Sequence, residues 1–397
     1  MIVQVASNLL SALGLLMLVP AVMFAAEIAA AARGRRHAPA VLGPHPSVAI
    51  LIPAHNEEVG IETTLCSIKP QLTASDRLLV VADNCTDGTR AAAEAQGAEV
   101  VSRINLEQRG KGFALDFGLE HLRSSPRDIV ILVDADCQVA PGAIDRLAKE
   151  CARHQRPIQA LYLMQNAANA GLKMRIAEFA WVVKNLVRPL GLANLSLPCH
   201  LTGSGMAFPW GDISRMNLAN GNIVEDMKMG LDLARLGSAP KFCVDALVLS
   251  TFPTQEEGVK SQRTRWEHGH LATILSEAPG MLLQGLKTMD FALVALAFDL
   301  CIPPLALLML QAVGLWAVAA VFYALTGFTT PLLIASIAAA VFGTAVLAAW
   351  IIHGRRIVSL SDLFSASLYA LWKIPMYARF IFSRQSEWVR SKRDEDR

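Results

Sequence analysis

The sequence predicts an α/β domain built on a parallel sheet and set between N-terminal and C-terminal transmembrane helices. Three observations predict it. Long apolar stretches stand at both ends of the chain. Between them, short continuous apolar runs alternate with helical patterns, which is how strands of a sheet covered on both faces read. Those runs end in acidic or amide-rich loops, the place where such sheets hold ligands.

The N-terminal element comes first. Val5 to Ala32 is apolar apart from Ser7, Asn8, Ser11 and Glu27, long enough to cross a hydrocarbon core of about 30 Å. Arg33, Arg35, Arg36 and His37 follow at once. A positive flank stays on the cytoplasmic side, so residues 1–36 are expected to run from outside to inside. A cleaved signal peptide would carry its basic flank before the apolar core, where only Met1 to Gln4 stand.

Residues 47–285 form the expected polar domain. Ser47 to Ile52 (SVAILI) is a strand, followed by the loop Pro53-Ala54-His55-Asn56-Glu57-Glu58 and a helical pattern from Val59 to Ile68. Arg77 to Ala82 is a second strand, ending in Asp83-Asn84 before a helix over Thr89 to Gln96. Glu99 to Ser102 is a third strand, Gly112 to Leu122 a helix, and Asp128 to Val133 a fourth strand that ends in Asp134-Ala135-Asp136. Glu225-Asp226 begins a helical pattern that stops at Leu236-Gly237, and Lys260 to Ile274 reads as a helix leading toward the membrane.

The C-terminal membrane zone is expected over 286–383. One apolar stretch runs from Phe291 to Leu310, broken by Pro303-Pro304; others cover Ala312 to Leu325, Leu332 to Ile352 and Leu363 to Phe382. The first two are short for separate spans, and the proline pair could break a re-entrant pair. The last is interrupted by Trp372, Lys373, Pro375, Tyr377 and Arg379 and suits a short span or an interfacial helix. The arginine-rich tail 384–397 is expected in the cytosol.

Composition narrows the function. Hydrophobic residues make up 53% of the chain and charged residues only 18%, against about 25% in an average soluble domain. A net charge of +2 with no concentrated basic face argues against nucleic acid as a partner. The seven cysteines are scattered with no CxxC pair, which suggests neither a zinc site nor a disulfide framework. No GxGxxG follows the first strand and no GxxxxGK[ST] occurs, so dinucleotide and P-loop readings lack their usual support.

The carboxylates carry the chemistry. Asp134 and Asp136, two apart at a strand end, point to one side if strand geometry persists. With Asp83 at a neighbouring strand end they can hold a hard cation against a diphosphate; acids that merely cap a strand end read the same way. Glu225 and Asp226 offer a base for an acceptor hydroxyl outside that cluster, or ordinary dipole partners of a first helical turn. Gln262, Arg265 and Trp266 share a helix face. The arginine suits phosphate oxygens, and the indole suits a sugar face or a membrane-interface belt. The glycines of Thr202-Gly203-Ser204-Gly205 admit either a close ligand or a tight turn.

PAHNE at Pro53 to Glu57, Asp83, the DAD at Asp134 to Asp136, TGSG at Thr202 to Gly205, Glu225-Asp226 and QRTRW at Gln262 to Trp266 together resemble the membrane-bound branch of glycosyltransferase family 2, similar to cellulose, chitin and hyaluronan synthases and ceramide glucosyltransferases. The resemblance covers about residues 45–275. It implies a GT-A fold, an inverting reaction, a nucleotide-sugar donor such as a UDP-sugar, and Mg²⁺ or Mn²⁺. It implies that Asp83 contacts the uracil, with Pro53 and Glu57 near the nucleoside. Asp134 then helps hold the nucleotide, Asp136 binds the metal, and Lys111 lies near the diphosphate. Asp226, beside Glu225, is the general base. Gly203, Ser204 and Gln262 contact substrate, Arg265 meets the diphosphate, and Trp266 lines the acceptor site. The implied setting is a bacterial inner membrane, multi-pass, with the catalytic domain in the cytosol. The acceptor there is a lipid or lipid-linked saccharide in exopolysaccharide or glycolipid assembly, in association with a polysaccharide-assembly complex. Val224 stands where the family's synthases often carry threonine, and no F-x-V-T segment follows Trp266. Both favour single sugar addition over the alternative, a processive synthase coupled to export.

Overall fold

The structure, a computed structural model, describes residues 1–34, 43–167, 169–219, 224–253 and 256–382. The basic residues Arg35, Arg36 and His37, residues 220–223 and the C-terminal residues 384–397 lie outside the described residues. The chain folds as two compact units. One comprises Met1–Gly34, Asn169–Ser196 and Glu267–Gln385; the other comprises Arg35–Ala168, Leu197–Trp266 and Ser386–Arg397.

The second unit is built on one eight-stranded sheet. Its strands are β1 (Val48–Ala54), β2 (Arg77–Asp83), β3 (Glu99–Arg103), β4 (Ile129–Leu132), β5 (Gln138–Val139), β6 (Ile158–Gln165), β7 (Met206–Pro209) and β8 (Lys241–Thr251). They lie in the order β3-β2-β1-β4-β7-β6-β8-β5. The four N-terminal strands of that order are parallel, as expected from their unbroken apolar runs. The remaining half is mixed: β7 runs antiparallel to β4 and β6, and β5 antiparallel to β8. β1 turns to β2 and β3 on one side and β4 pairs on the other, so a crevice opens at the carboxyl ends of β1 and β4. Leu51, Leu79, Val81, Leu115, Leu132, Met206, Phe208 and Leu233 are buried together in the core beneath it.

In the first unit the Ile2–Ala31 helix packs along the Thr330–Ala349 helix. Phe24 meets Phe342 at 5.8 Å between ring centroids. Arg188 bridges Glu27 (2.8 Å) and Asp299, which gives both buried acids a cationic partner. Asn194 Nδ2 donates to the carbonyls of Ala30 and Gly34, each at 3.0 Å, and so closes the end of the first helix. Among the described residues, three helices are long and apolar enough to cross a membrane: Ile2–Ala31, Leu305–Thr326 and Thr330–Gly354. The proline pair separates the short helix Phe291–Leu300 from Leu305–Thr326. The chain beyond it then runs unbroken through Leu310 and Ala312, so the two stretches that read as short in the sequence are re-divided at the prolines.

Candidate active site

The site is assembled at the carboxyl end of β4. Asp134 and Asp136 follow that strand directly. The antiparallel partner β7 brings the 202–205 loop to the same place, with the Gly205 N–H donating to the Leu132 carbonyl at 2.9 Å. The Asp134 N–H donates to Ser204 Oγ at 3.1 Å. Ser204 Oγ donates in turn to Cys137 Sγ at 3.3 Å, and the thiol faces Asp136 Oδ1 at 3.7 Å.

Lys111 enters from the opposite wall as the first residue of the Lys111–Leu122 helix, after Gly110 at φ +126°. Its ammonium pairs with Asp134 and donates to the Gly203 carbonyl at 2.6 Å. Gly203 holds φ +102°, a conformation that L side chains rarely adopt. A Cβ there would stand 3.3 Å from Asp226 Oδ2, 3.9 Å from Lys111 Nζ and 4.0 Å from Asp134 Oδ2. Gly203 is therefore ringed by the three groups the sequence marked separately.

Asp226 and Glu225 open the Glu225–Arg235 helix. Adjacent helical residues point about 100° apart, and it is Asp226 that reaches Gly203. Desolvation at its half-buried position, with the charges of Asp226 and Asp134 acting against that of Lys111, pushes the Glu225 carboxyl up to about 7. Burial also raises Asp134, with Asp136 and Asp226 adding to the shift and Lys111 opposing it. Desolvation would lower Lys111, but Asp134, Glu225 and Asp226 outweigh it and hold the ammonium charged well beyond the usual range. Three carboxylates thus act on one ammonium, with Asp136 beside Asp134 as a fourth acid.

Asp134, Asp136 and Cys137 offer ligand atoms that all lie within 4.8 Å of one another. Burial pushes the Cys137 thiol well up, so it keeps its hydrogen and the oxygens are the ligands available. An oxygen pair of this kind suits a hard divalent ion.

The loops after β1 and β2 form the neighbouring wall. They are zipped together: Asn56 Oδ1 accepts from the Thr86 N–H (2.8 Å), Glu58 Oε2 from Gly88 (2.9 Å), and Asp87 Oδ2 from Glu58 (3.1 Å). His55 Nδ1 donates to the Asp83 carbonyl at 2.7 Å. Pro53 lies in β1 opposite Val81, and the Glu57 N–H is held by Thr89 Oγ1 at 2.7 Å. Asp83 is buried at the end of β2, with its Oδ1 2.7 Å from Arg103 at the register-matched end of β3. Arg103 also donates to the Gln108 carbonyl (2.9 Å) and lies 5.5 Å over the Phe113 ring. Gln262, Arg265 and Trp266 are carried half-buried on another element, the Glu256–Thr288 helix, longer than the expected Lys260–Ile274.

Three residues of this arrangement escape a reading of the sequence. Arg103 needed the β2–β3 register, and Cys137 needed the 202–205 loop. Gln159 was visible as a polar residue in the apolar run IQALYL. It is buried and pins the loop, donating to the Ser204 carbonyl (2.9 Å) and accepting from the Thr202 N–H (2.8 Å).

Residues 45–269 match a family model described as glycosyltransferase like family 2. The glucosyl-3-phosphoglycerate synthase of Mycobacterium tuberculosis is 36% identical over 96 residues, 23% of this chain and 29% of that one. The undecaprenyl-phosphate 4-deoxy-4-formamido-L-arabinose transferase of Sodalis glossinidius is 31% identical over 113 residues, 27% and 34% of the two chains. The chain thus matches only about a third of the length of these relatives. A solved mannosyltransferase from Pyrobaculum calidifontis, in complex with GDP-Man and Mn²⁺, shares the fold at TM-score 0.51 and 18% identity, over 92% of this chain and 99% of that one. These relatives correct the expected branch: they are not cellulose, chitin or hyaluronan synthases or ceramide glucosyltransferases. The physical reason is that PAHNE, DAD and TGSG build strand-end loops of the nucleotide-sugar fold. They mark the fold family rather than a branch of it, and the processive alternative rested on the branch.

Proposed function

The chain belongs to glycosyltransferase like family 2, and from that premise we propose that it is a metal-dependent transferase moving a sugar from a nucleotide-sugar donor to a lipid-linked acceptor at a membrane. The observation that carries the reading is the convergence of Lys111, Asp134 and Asp226 around Gly203, with Asp136 beside Asp134.

Asp136, with Asp134 beside it, would hold Mg²⁺ or Mn²⁺. The ion, when bound, offsets the charge of the donor diphosphate. Lys111 already carries its full charge at that end of the site and, with Arg265, binds diphosphate oxygens. The wall of Pro53, Glu57 and Asp83 receives the nucleoside, with Arg103 fixing the Asp83 carboxylate so that its second oxygen accepts from the base. Gly203 lines the sugar, while the buried Ser204, expected to contact substrate, holds the pinned loop to Asp134 and Cys137. Gln262 and Trp266 contact the acceptor side, the indole offering a flat apolar surface.

Asp226 takes the proton from the acceptor hydroxyl as that oxygen attacks the anomeric carbon, and the nucleoside diphosphate departs from the opposite face. Configuration at that carbon is therefore inverted. Glu225 points about 100° away from Asp226 on the helix, and it is Asp226 that reaches the Gly203 loop.

A lipid-linked acceptor is supported by three helices suited to crossing a membrane and by the undecaprenyl-phosphate substrate in the name of the Sodalis glossinidius relative. With Arg33 on the cytoplasmic side of the first helix, the catalytic unit sits in the cytosol. A panel of UDP- and GDP-sugars, supplied to purified protein with and without a lipid extract, tests the assignment. Release of nucleoside diphosphate from one donor, accelerated by the lipid fraction and accompanied by a labelled lipid, is expected. Transfer to a water-soluble acceptor alone, with no lipid product, would refute the lipid acceptor.

A further inference from the structure

The Leu360–Leu371 helix has 12 residues. At about 1.5 Å per residue it reaches about 18 Å, short of a hydrocarbon core of about 30 Å. It is nonetheless a well-made helix. Ser359 and Asp362 form a capping box at its start, and Asp362 is held by Arg175 at 2.8 Å. Ala370 is buried on its inner side. Its outer side is apolar: Leu360, Phe364, Leu368 and Leu371 recur at i, i+4, i+8 and i+11 and are 48%, 75%, 67% and 50% exposed. Trp372 continues the stripe at 74% exposure. A lone exposed leucine needs no explanation, but a continuous stripe does.

Cations border the stripe. Arg355 and Arg356 are exposed in the turn that leads into the helix. Lys173 stands with its Nζ 4.3 Å from the Trp372 ring centroid, and Arg379 is exposed on the following Ile374–Phe382 helix. None of these four forms an ion pair with a described residue. An apolar helix face with an indole at its end and cations nearby that form no ion pair among the described residues matches a membrane surface rather than a protein partner. The same unit carries the three helices long enough to cross a bilayer.

We propose that the Leu360–Leu371 helix lies in the plane of the membrane surface, with its apolar stripe and Trp372 in the acyl boundary and with Lys173, Arg355 and Arg356 on the phosphates of anionic lipid headgroups. The partner is thus an anionic bilayer surface, and this helix is not a further span. The inference is independent of the sugar chemistry proposed above.

The test uses the full chain in lipid nanodiscs. Bromine placed on the acyl chains near the headgroup should quench tryptophan fluorescence, and Trp372→Phe should lose a distinct share of that quenching. Phe364→Glu with Leu368→Glu should lose the same share while Trp372 remains in place. Spin-labelled lipids report the second half of the proposal: wild type should prefer an anionic over a zwitterionic label. Arg355→Gln with Arg356→Gln should lower that preference about fivefold per charge, from ~1 kcal/mol each, with the Trp372 quenching kept as evidence that the helix is still docked. Identical quenching in wild type and Trp372→Phe would overturn the in-plane placement. So would a dimer in which Trp372 is shielded from the brominated chains. An unchanged anionic preference in the double arginine variant would overturn the headgroup assignment.

Discussion

At the residue scale, two adjacent carboxylates have different environments, and the proposal gives them different roles on that ground. Asp226 Oδ2 lies against Gly203, whereas Glu225 is desolvated beside like charges. With Asp226 as the proposed base, Asp226→Asn should lower turnover by at least about 100-fold with nucleotide affinity nearly unchanged; Glu225→Gln should cost less. Steady-state rates paired with calorimetric titration of nucleoside diphosphate and Mn²⁺ distinguish the two, and the reverse order of severity would exchange the roles. Glu225 also has a signature in stability. Its folded-state pKa of about 7 stands above the ordinary 4.5, so the folded protein holds a proton the unfolded chain has released. Its contribution is present below the ordinary value and is lost as pH rises through about 7. In metal-free protein, denaturant titrations across that window should show wild type losing more stability with rising pH than Glu225→Gln; parallel curves would contradict the shift. Gly203→Ala places a Cβ at φ +102° and 3.3 Å from Asp226 Oδ2. It should cost about 1–3 kcal/mol of local strain and lower turnover by displacing the base, both readable from thermal unfolding and rates on one preparation. The carboxylates were legible in the sequence because chemistry at a strand end needs few residue types. Cys137 and Arg103 were not, because each acquires its partner only from another strand's register.

At the element scale, the parallel half of the sheet was readable because β1, β2 and β4 are unbroken apolar runs with helices between them. The mixed half was not. β7 is a short run that closes on Pro209, which weakens a strand reading, and β8 alternates buried with half-buried positions over eleven and so lacks the signature of a fully covered strand. Those strands nonetheless build the site, since β7 delivers the 202–205 loop to Asp134. The β2–β3 pair contributes through Asp83 and Arg103, both nearly buried and 2.7 Å apart. Arg103→Met strands the Asp83 charge and should cost about 3 kcal/mol. Nucleotide affinity should weaken with it, because the carboxylate loses its orientation. An Arg103→Met protein with wild-type stability and affinity would remove that pair from the donor site. In the other unit the proline pair, already a break in the sequence, separates Phe291–Leu300 from a single 22-residue helix, which runs straight through the Leu310–Ala312 boundary that hydropathy alone places.

At the scale of the whole molecule, two readings of the sequence met different fates. Apolar ends around a polar middle were legible because membrane length and carboxylate chemistry leave coarse marks, and the family match over residues 45–269 agrees with them. The branch within the family was not legible, since its landmarks are the loops every member needs for the donor. Topology follows from the proposal. Two spans after the catalytic unit, Leu305–Thr326 and Thr330–Gly354, return the chain to the cytosol. Single-cysteine variants at positions 40 and 395, in a background without the native cysteines, should therefore label from the same side; opposite-side labelling would contradict the count of crossings. The most direct measurement of the proposed chemistry is metal-dependent release of nucleoside diphosphate from the preferred donor by wild type and Asp136→Asn. Wild type should turn over only with Mg²⁺ or Mn²⁺, stop in EDTA and recover on re-addition, while a folded Asp136→Asn protein stays inactive at every metal concentration. Full turnover by Asp136→Asn, or by wild type in EDTA, would show that the Asp134–Asp136 pair is not the metal site and that the reaction does not run through it.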